Sequence, residues 1–397
     1  MNVLRVTPHY FPFVTGPANQ ARAIATLLAA QGHRETLVTT NHGCPPDTPA
    51  ESDEQAVTVH RLRQGPGFMA YRAVRDLHSL TAAAHDADLI HAHLYRNRLT
   101  THAATLARRL RKPYVLQPHG TLRMYREILV GPAGKLGQLP YRAFDTLRAA
   151  REVFAADAVV LATTQERDEA IAFGVDPERA HVIPVGVKPE IATAIDQHTP
   201  RPAADAVRFL MVGNLNRDRN PELAIQAAAR AARETSADFT LDIVGPAVRR
   251  SLWQRGGDYL AHLRQRASQL GIADRVRIVG PLTGDDLLNA YLNADVFINP
   301  TRYENFGQAT LEAAACGLAL LCTPTGVARD FVAPGRTGFF INPTEPGALA
   351  DRIAWCTQHP NRVTQLKHAA RMAVQSRYHW PTIVEQYREL YRSLGVA

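Results

Sequence analysis

Two glutamates eight positions apart, Glu304 and Glu312 in "PTRYENFGQATLEAAACG", bracket an Asn305-Phe306-Gly307 turn and the first turns of an alanine-rich helix. An eight-residue offset turns a helical side chain by about 80° net. Glu304 precedes the helix, so it need not follow that phase and reaches past the helix start. The amides of Phe306, Gly307 and Gln308 become free donors at a helix N-terminus, and Gly307 lets a phosphate come close. Glu312 lies among alanines suited to close packing. A buried carboxylate needs donors, and the vicinal diol of a ribose supplies two. Carboxylate, amide cradle and second carboxylate together fit a nucleotide-sugar.

Further candidates stand at predicted strand ends. His119, in "QPHGTLRMY", directly follows a buried strand, where it can bond a sugar hydroxyl or share a proton. His91 and His93, in "LIHAHL", end another strand and are read as facing opposite sides of the sheet, one of them structural. Gly16 sits in the loop "PHYFPFVTGPANQ", ahead of a helix expected to start near Asn19. That loop reads as an anion cradle or as a plain strand-to-helix connection, and it lacks the glycine pattern of a dinucleotide fingerprint. In "VGNLNRDRNPELAI", Arg217 and Arg219 flank Asp218 just before a helix. They suit a diphosphate, or they are solvated surface arginines.

The elements that must carry these residues alternate strand and helix throughout, from "NVLRVT" to "ALLCTP". Near-continuous apolar strand runs predict parallel sheets covered on both faces. The pattern restarts at "VRFLMVG", after the proline- and alanine-rich stretch "KPEIATAIDQHTPRPAADA". This predicts an α/β chain of two doubly wound, Rossmann-like domains, with ligands at the C-terminal strand ends. The expected divisions are 1–188, a linker at 189–206, a second domain at 207–375 and a C-terminal helix at 376–397. In that helix Ile383, Val384, Tyr387, Leu390, Tyr391 and Leu394 share a face. It packs back on the first domain or on its own.

Length and composition fit this plan. The 397 residues, 46% hydrophobic and 21% charged, suit two soluble domains of roughly 200 residues each. The four cysteines form no metal or redox spacing, so a reduced, cytoplasmic protein is expected. An arginine interrupts the apolar patch of the opening segment, which argues against a signal peptide. No apolar run approaches the ~18 residues needed to span a bilayer. The formal charge of +8 admits nucleic acid, an anionic membrane or a phosphorylated small molecule as partner. No zinc-finger, RRM or helix-turn-helix signature supports nucleic acid.

With these residues in place, the chain resembles the retaining GT-B glycosyltransferases of family 4, those with the glycosyl transferases group 1 domain. The ordered set "PHG", "ADAVVLATTQERDEAI", "HVIPVGV" and the E-x7-E motif carries the resemblance, most strongly over 276–354. It implies that Glu304 holds the transferred sugar, Glu312 the ribose, and the amides of Phe306, Gly307 and Gln308 the sugar and phosphate. It places Gly16 near the diphosphate and His119 by the anomeric carbon. The implied donor is a UDP- or GDP-sugar, with cations in place of a metal and no cofactor. Three positions, in two segments, depart from the family pattern. Asn214 and Arg219 stand where Arg and Lys are usual, and Asn305 replaces a glycine, at a place where left-handed backbone is expected. The implied acceptor is a saccharide or a polyprenyl-linked one. Residues 122–151, mixing arginines with Leu122, Met124 and Ile128, either meet an anionic membrane surface, placing the protein on the inner face of the cell membrane, or form a folded insertion. The same fold also admits a nucleotide-sugar epimerase or an inactive sugar-nucleotide-binding subunit.

Overall fold

The computed structural model describes residues 1–65, 74–122, 137–191, 193, 206–234, 238–248, 259–375 and 377–396. The chain divides into two units, Met1–Val185 with Trp380–Ala397 (unit 1) and Gly186–His379 (unit 2). Residues 186–188 therefore pack in unit 2, where the Val187 N–H donates to the Tyr378 carbonyl at 2.9 Å. Of the linker at 189–206, residues 192 and 194–205 lie outside the described residues, as do 123–136 of the basic, apolar segment.

Unit 1 is built on an eight-stranded sheet. Its strands, in spatial order, are β3 (Glu51–Glu54), β4 (Val57–Leu62), β2 (Arg34–Thr40), β1 (Asn2–Val6), β5 (Leu89–His93), β6 (Tyr114–Gln117), β7 (Ala158–Leu161) and β8 (Ala180–Val182). Only β3 runs antiparallel, against β4. The strands β5, β6 and β7 are buried at every position, which is why they read as near-continuous apolar runs interrupted only by His91, His93 and Gln117. Strand order proceeds outward in both directions from the β1–β5 pair, so the loops after those strands diverge and open a crevice at their C-terminal ends.

Alternation along the strands assigns two cores. Leu4, Val6, Ile90, Leu116 and Val159 face one side, with Leu80, Ala84, Ala103 and Ala107 of helices laid over them. Val3, Leu89, Val115 and Val160 face the other. There the helix Gly16–Ala30 contributes Ile24 and Leu28, and the helix Trp380–Ser393 contributes Ile383, Val384, Tyr387, Leu390 and Tyr391. Each large apolar side chain so buried contributes about 1.5–3 kcal/mol. The last helix thus completes the covering of unit 1.

Unit 2 repeats the plan with six parallel strands: β11 (Val276–Gly280), β10 (Phe239–Val244), β9 (Val207–Val212), β12 (Val296–Asn299), β13 (Ala319–Cys322) and β14 (Gly338–Phe340). The strand order turns at β9 and β12, which pair in parallel, Val296 opposite Phe209. All four cysteines are free thiols. No helix among the described residues is long and apolar enough to cross a membrane.

Candidate functional site

Because β9 and β12 are parallel neighbours, their C-terminal loops leave the sheet side by side. In the first loop the Asn216 side-chain carbonyl accepts from the N–H groups of Asp218 and Arg219, both at 3.0 Å. Asn220 then takes a left-handed conformation (φ 58°), which asparagine tolerates. Its amide donates to the carbonyls of Pro300 (3.3 Å) and Pro343 (2.8 Å). The Asp218 carbonyl in turn accepts from the Arg302 N–H at 2.9 Å and the Thr301 hydroxyl at 3.2 Å. These bonds lock the two loops together and bring Arg219 onto Glu304. One arm of the guanidinium donates to Glu304 Oε1 at 3.3 Å, and the other contacts Oε2 more closely. Asn214 and Arg217 are both exposed, and no hydrogen bond or ion pair ties either to Glu304.

The turn that follows is shaped by glycines. Gly307 caps the helix Gln308–Ala315 with φ 93°, and no side chain caps that end. Asn305 does not take the left-handed conformation expected of it; that geometry falls two residues later, on Gly307, where it costs least. Gly326, also left-handed (φ 56°), lets the next loop come so close that an added Cβ would lie 2.5 Å from the Phe306 carbonyl oxygen and 3.1 Å from Glu304 Cγ. Among the described residues nothing accepts from the amides of Phe306, Gly307 or Gln308. The Gln308 side chain donates to the Gly186 carbonyl at 3.4 Å.

Glu312 is buried, as its alanine neighbours imply, and its Oε1 makes no hydrogen bond of good geometry among the described residues. The Tyr291 hydroxyl donates to Oε2 at 3.1 Å, and the Lys188 ammonium sits 2.8 Å from Oε1. Burial first, and the carboxylate's field second, push the neighbouring Cys316 thiol up to about 12, so it stays protonated.

Two of the candidates, Gly16 and His119, belong to unit 1. The Gly16 helix begins at Gly16 itself, three residues before Asn19, with the Thr15 hydroxyl accepting from the Ala18 N–H at 3.2 Å. A Cβ on Gly16 would meet nothing within 4 Å, so the glycine leaves open space in front of the helix end. His119 follows β6 in a left-handed conformation (φ 53°). His91 and His93 share one face of β5, against the expectation of opposite faces, because residues two apart in a strand point the same way. Their rings stack at 4.5 Å, and His93 stacks on His119 at 5.2 Å.

This stack fixes a tautomer. Arg5, buried in β1, donates only. Its Nη1 lies 2.9 Å from His91 Nδ1 and 3.4 Å from His93 Nε2, so both nitrogens accept. His93 then carries its proton on Nδ1 and donates it to His119 Nε2 at 2.9 Å. His119 therefore keeps its own proton on Nδ1, which has no partner among the described residues. Glu35 accepts from Arg5 at 3.0 Å and balances its charge. The helix Trp380–Ser393 closes the network through Tyr391, whose hydroxyl lies 2.7 Å from His91 Nδ1.

Residues 15–186 match the family described as "Glycosyl transferase 4-like domain", and residues 196–373 match "Glycosyl transferases group 1". Between them the two matches account for most of the sequence. The chain carries a glycosyl transferase 4-like domain followed by a glycosyl transferases group 1 domain. It is 32% identical over 187 residues to the D-inositol 3-phosphate glycosyltransferase of Corynebacterium urealyticum, covering 46% of this chain and 42% of that one. It is 28% identical over 316 residues to D-inositol 3-phosphate glycosyltransferase 1 of Catenulispora acidiphila, covering 78% and 72%. The match thus spans less than half the length of the first of these relatives. The fold is similar to that of Anabaena HepE, a GT-B structure solved in complex with UDP, with a TM-score of 0.73, 21% identity and 99% and 100% of the chains covered.

Lys188, Tyr291 and Gly326 around the glutamates, and Arg5 and Glu35 beneath His119, were not among the residues expected from the sequence. A charge inside an otherwise apolar strand run, such as Arg5 in "NVLRVT", was the one available signal.

Burial holds the His91, His93 and His119 imidazoles below their ordinary range, His119 at about 3. Unfolded, each protonates near pH 6.5, so below that value the unfolded chain binds more protons, for His119 down to about 3. The stability their neutrality supports is whole above pH 6.5 and declines as pH falls through that window. Burial also raises Glu152 and Glu166 to about 7, which acts in the opposite sense between about 4.5 and 7. Exchanging His119 for asparagine is expected to flatten the acid limb by up to about 1.4 kcal/mol per pH unit, checked by urea unfolding at several pH values.

Proposed function

We propose that the protein is a retaining, metal-independent glycosyltransferase that moves a sugar from a nucleotide-sugar donor to a saccharide or lipid-linked saccharide acceptor. The observation that carries this reading is the meeting of Glu304, Arg219 and the three free amides of residues 306–308 at two adjacent strand ends. Glu304 takes the hydroxyls of the transferred sugar. The amides and Arg219 take the phosphate oxygens, whose negative charge grows as the bond to the sugar breaks. Arg219 supplies a positive charge beside those oxygens without a metal, and Asn214 supplies none. Glu312, held by Lys188 and Tyr291, accepts from the ribose hydroxyls. His119, with its proton on Nδ1, donates to the sugar. Gly16 leaves room for the diphosphate.

Retention follows if the acceptor attacks from the face the diphosphate leaves. The bond from the anomeric carbon to phosphate oxygen breaks, the bond to the acceptor oxygen forms, and the acceptor's proton passes to the departing phosphate. The similarity to glycosyltransferases and to the UDP-bound HepE structure favours transfer from a nucleotide-sugar over epimerisation. Contact with an anionic membrane rests on the arginines of 122–151, of which Arg142, Arg148 and Arg151 lie on the helix Leu139–Glu152.

A thermal-shift series with UDP-, GDP-, ADP- and dTDP-sugars tests the donor assignment. A ligand of the folded state raises the midpoint, by about 2.7 kcal/mol of apparent stability at a hundred times its Kd. A rise with one base and none with the others is expected; no rise with any donor refutes the reading.

A further inference from the structure

At the opposite end of β6 from His119, unit 1 holds a pocket of about 390 Å³. Tyr114, the first residue of β6, and Asp157, just before β7, belong to its wall. The helix Arg98–Leu110 ends above them, and Arg111 turns the chain back in a left-handed conformation (φ 53°). That reversal brings Arg108, Arg111 and Lys112 to one opening, and Arg151 joins them from the helix Leu139–Glu152.

Four cations share this concavity with a single carboxylate. Asp157 is engaged, accepting from the Tyr114 N–H at 2.8 Å. None of the four cations makes an ion pair or hydrogen bond among the described residues. A helix C-terminus attracts basic side chains. That attraction explains one or two at each helix end, but it does not explain why four from two helices converge on a hollow.

We propose that this pocket binds a phosphate ester, its oxygens held by Arg108, Arg111, Lys112 and Arg151. Guanidinium groups match phosphate geometry by paired N–H donors. The volume lies at the small end of ligand cavities, which suits one phosphorylated headgroup or small metabolite and not a nucleotide-sugar. The site is separate from the proposed transfer machinery, and its test needs no activity.

Isothermal titration of the full chain with glycerol 3-phosphate, and flotation with phosphatidylglycerol against phosphatidylcholine vesicles, distinguish a free ester from a lipid headgroup. The variant is the double exchange Arg108→Gln with Arg151→Gln. Arg109→Gln, on the same helix but outside the pocket, is the control, and unfolding midpoints verify that each variant folds. Loss of about tenfold in glycerol 3-phosphate affinity per cation removed, with the control unchanged, supports a soluble ligand. Loss of phosphatidylglycerol binding alone in the double variant supports a headgroup. If the double variant and the control behave alike in both assays, the proposal is overturned.

Discussion

Exchanging Glu304 for glutamine is expected to lower the transfer rate by about 100- to 1000-fold while the protein stays folded. Glutamine keeps the volume and one acceptor oxygen, but it removes the charge that holds the sugar's hydroxyls and balances Arg219. The side chains of Glu304 and Arg219 are 14% and 28% exposed, so the ion pair is partly solvated and its loss costs about 1 kcal/mol or less. The loss should fall on kcat more than on the donor KM, because the charge acts where the sugar departs. Steady-state kinetics with a matched unfolding midpoint checks this. An unaltered kcat removes Glu304 from the machinery, and a midpoint drop large enough to leave little folded protein makes it structural.

That glutamate was legible because its motif is local. Glu304, Gly307 and Glu312 lie within one turn and one short helix, and local spacing states their relation directly. The partners were not legible, because they arrive from elsewhere in the chain. Lys188 stands at the last position of what reads as the first domain, and Tyr291 lies near the end of a helix before β12. Strand order alone makes them neighbours of Glu312. Arg219 was recognised as a cation near a strand end, but its contact with Glu304 depends on β9 lying directly beside β12. Periodicity could have settled the two histidines correctly, since an offset of two keeps a strand residue on the same face. The alternation of "LIHAH" states this without any structure. The left-handed position in the Glu304 loop was harder, because backbone conformation there is set by how closely Gly326 packs on Phe306.

The largest stability effect is expected beneath His119. Glu35→Ala should destabilise unit 1 by about 3–5 kcal/mol, because it leaves the Arg5 guanidinium charged and fully buried. Both side chains have no exposure at all, so water cannot replace the carboxylate. The double exchange Arg5→Met with Glu35→Leu should recover most of that loss, since a packed apolar pair needs no counter-charge. It should, however, release the proton on His119 Nδ1 that Glu35→Ala keeps in place, because nothing then donates to His93 Nε2. Urea unfolding measures the first effect, and nitrogen-15 shifts of the His119 ring measure the second. A loss below about 1 kcal/mol for Glu35→Ala would show that the pair is not what holds this face together.

The helix Trp380–Ser393 covers unit 1, although almost two hundred residues of unit 2 separate it from Val185. During synthesis the first unit therefore emerges with the Val3, Leu89, Val115 and Val160 surface incompletely covered. It remains so until the last helix leaves the ribosome. An uncovered apolar sheet face invites association with other nascent chains, so the first unit should depend on holdase chaperones for longer than the second.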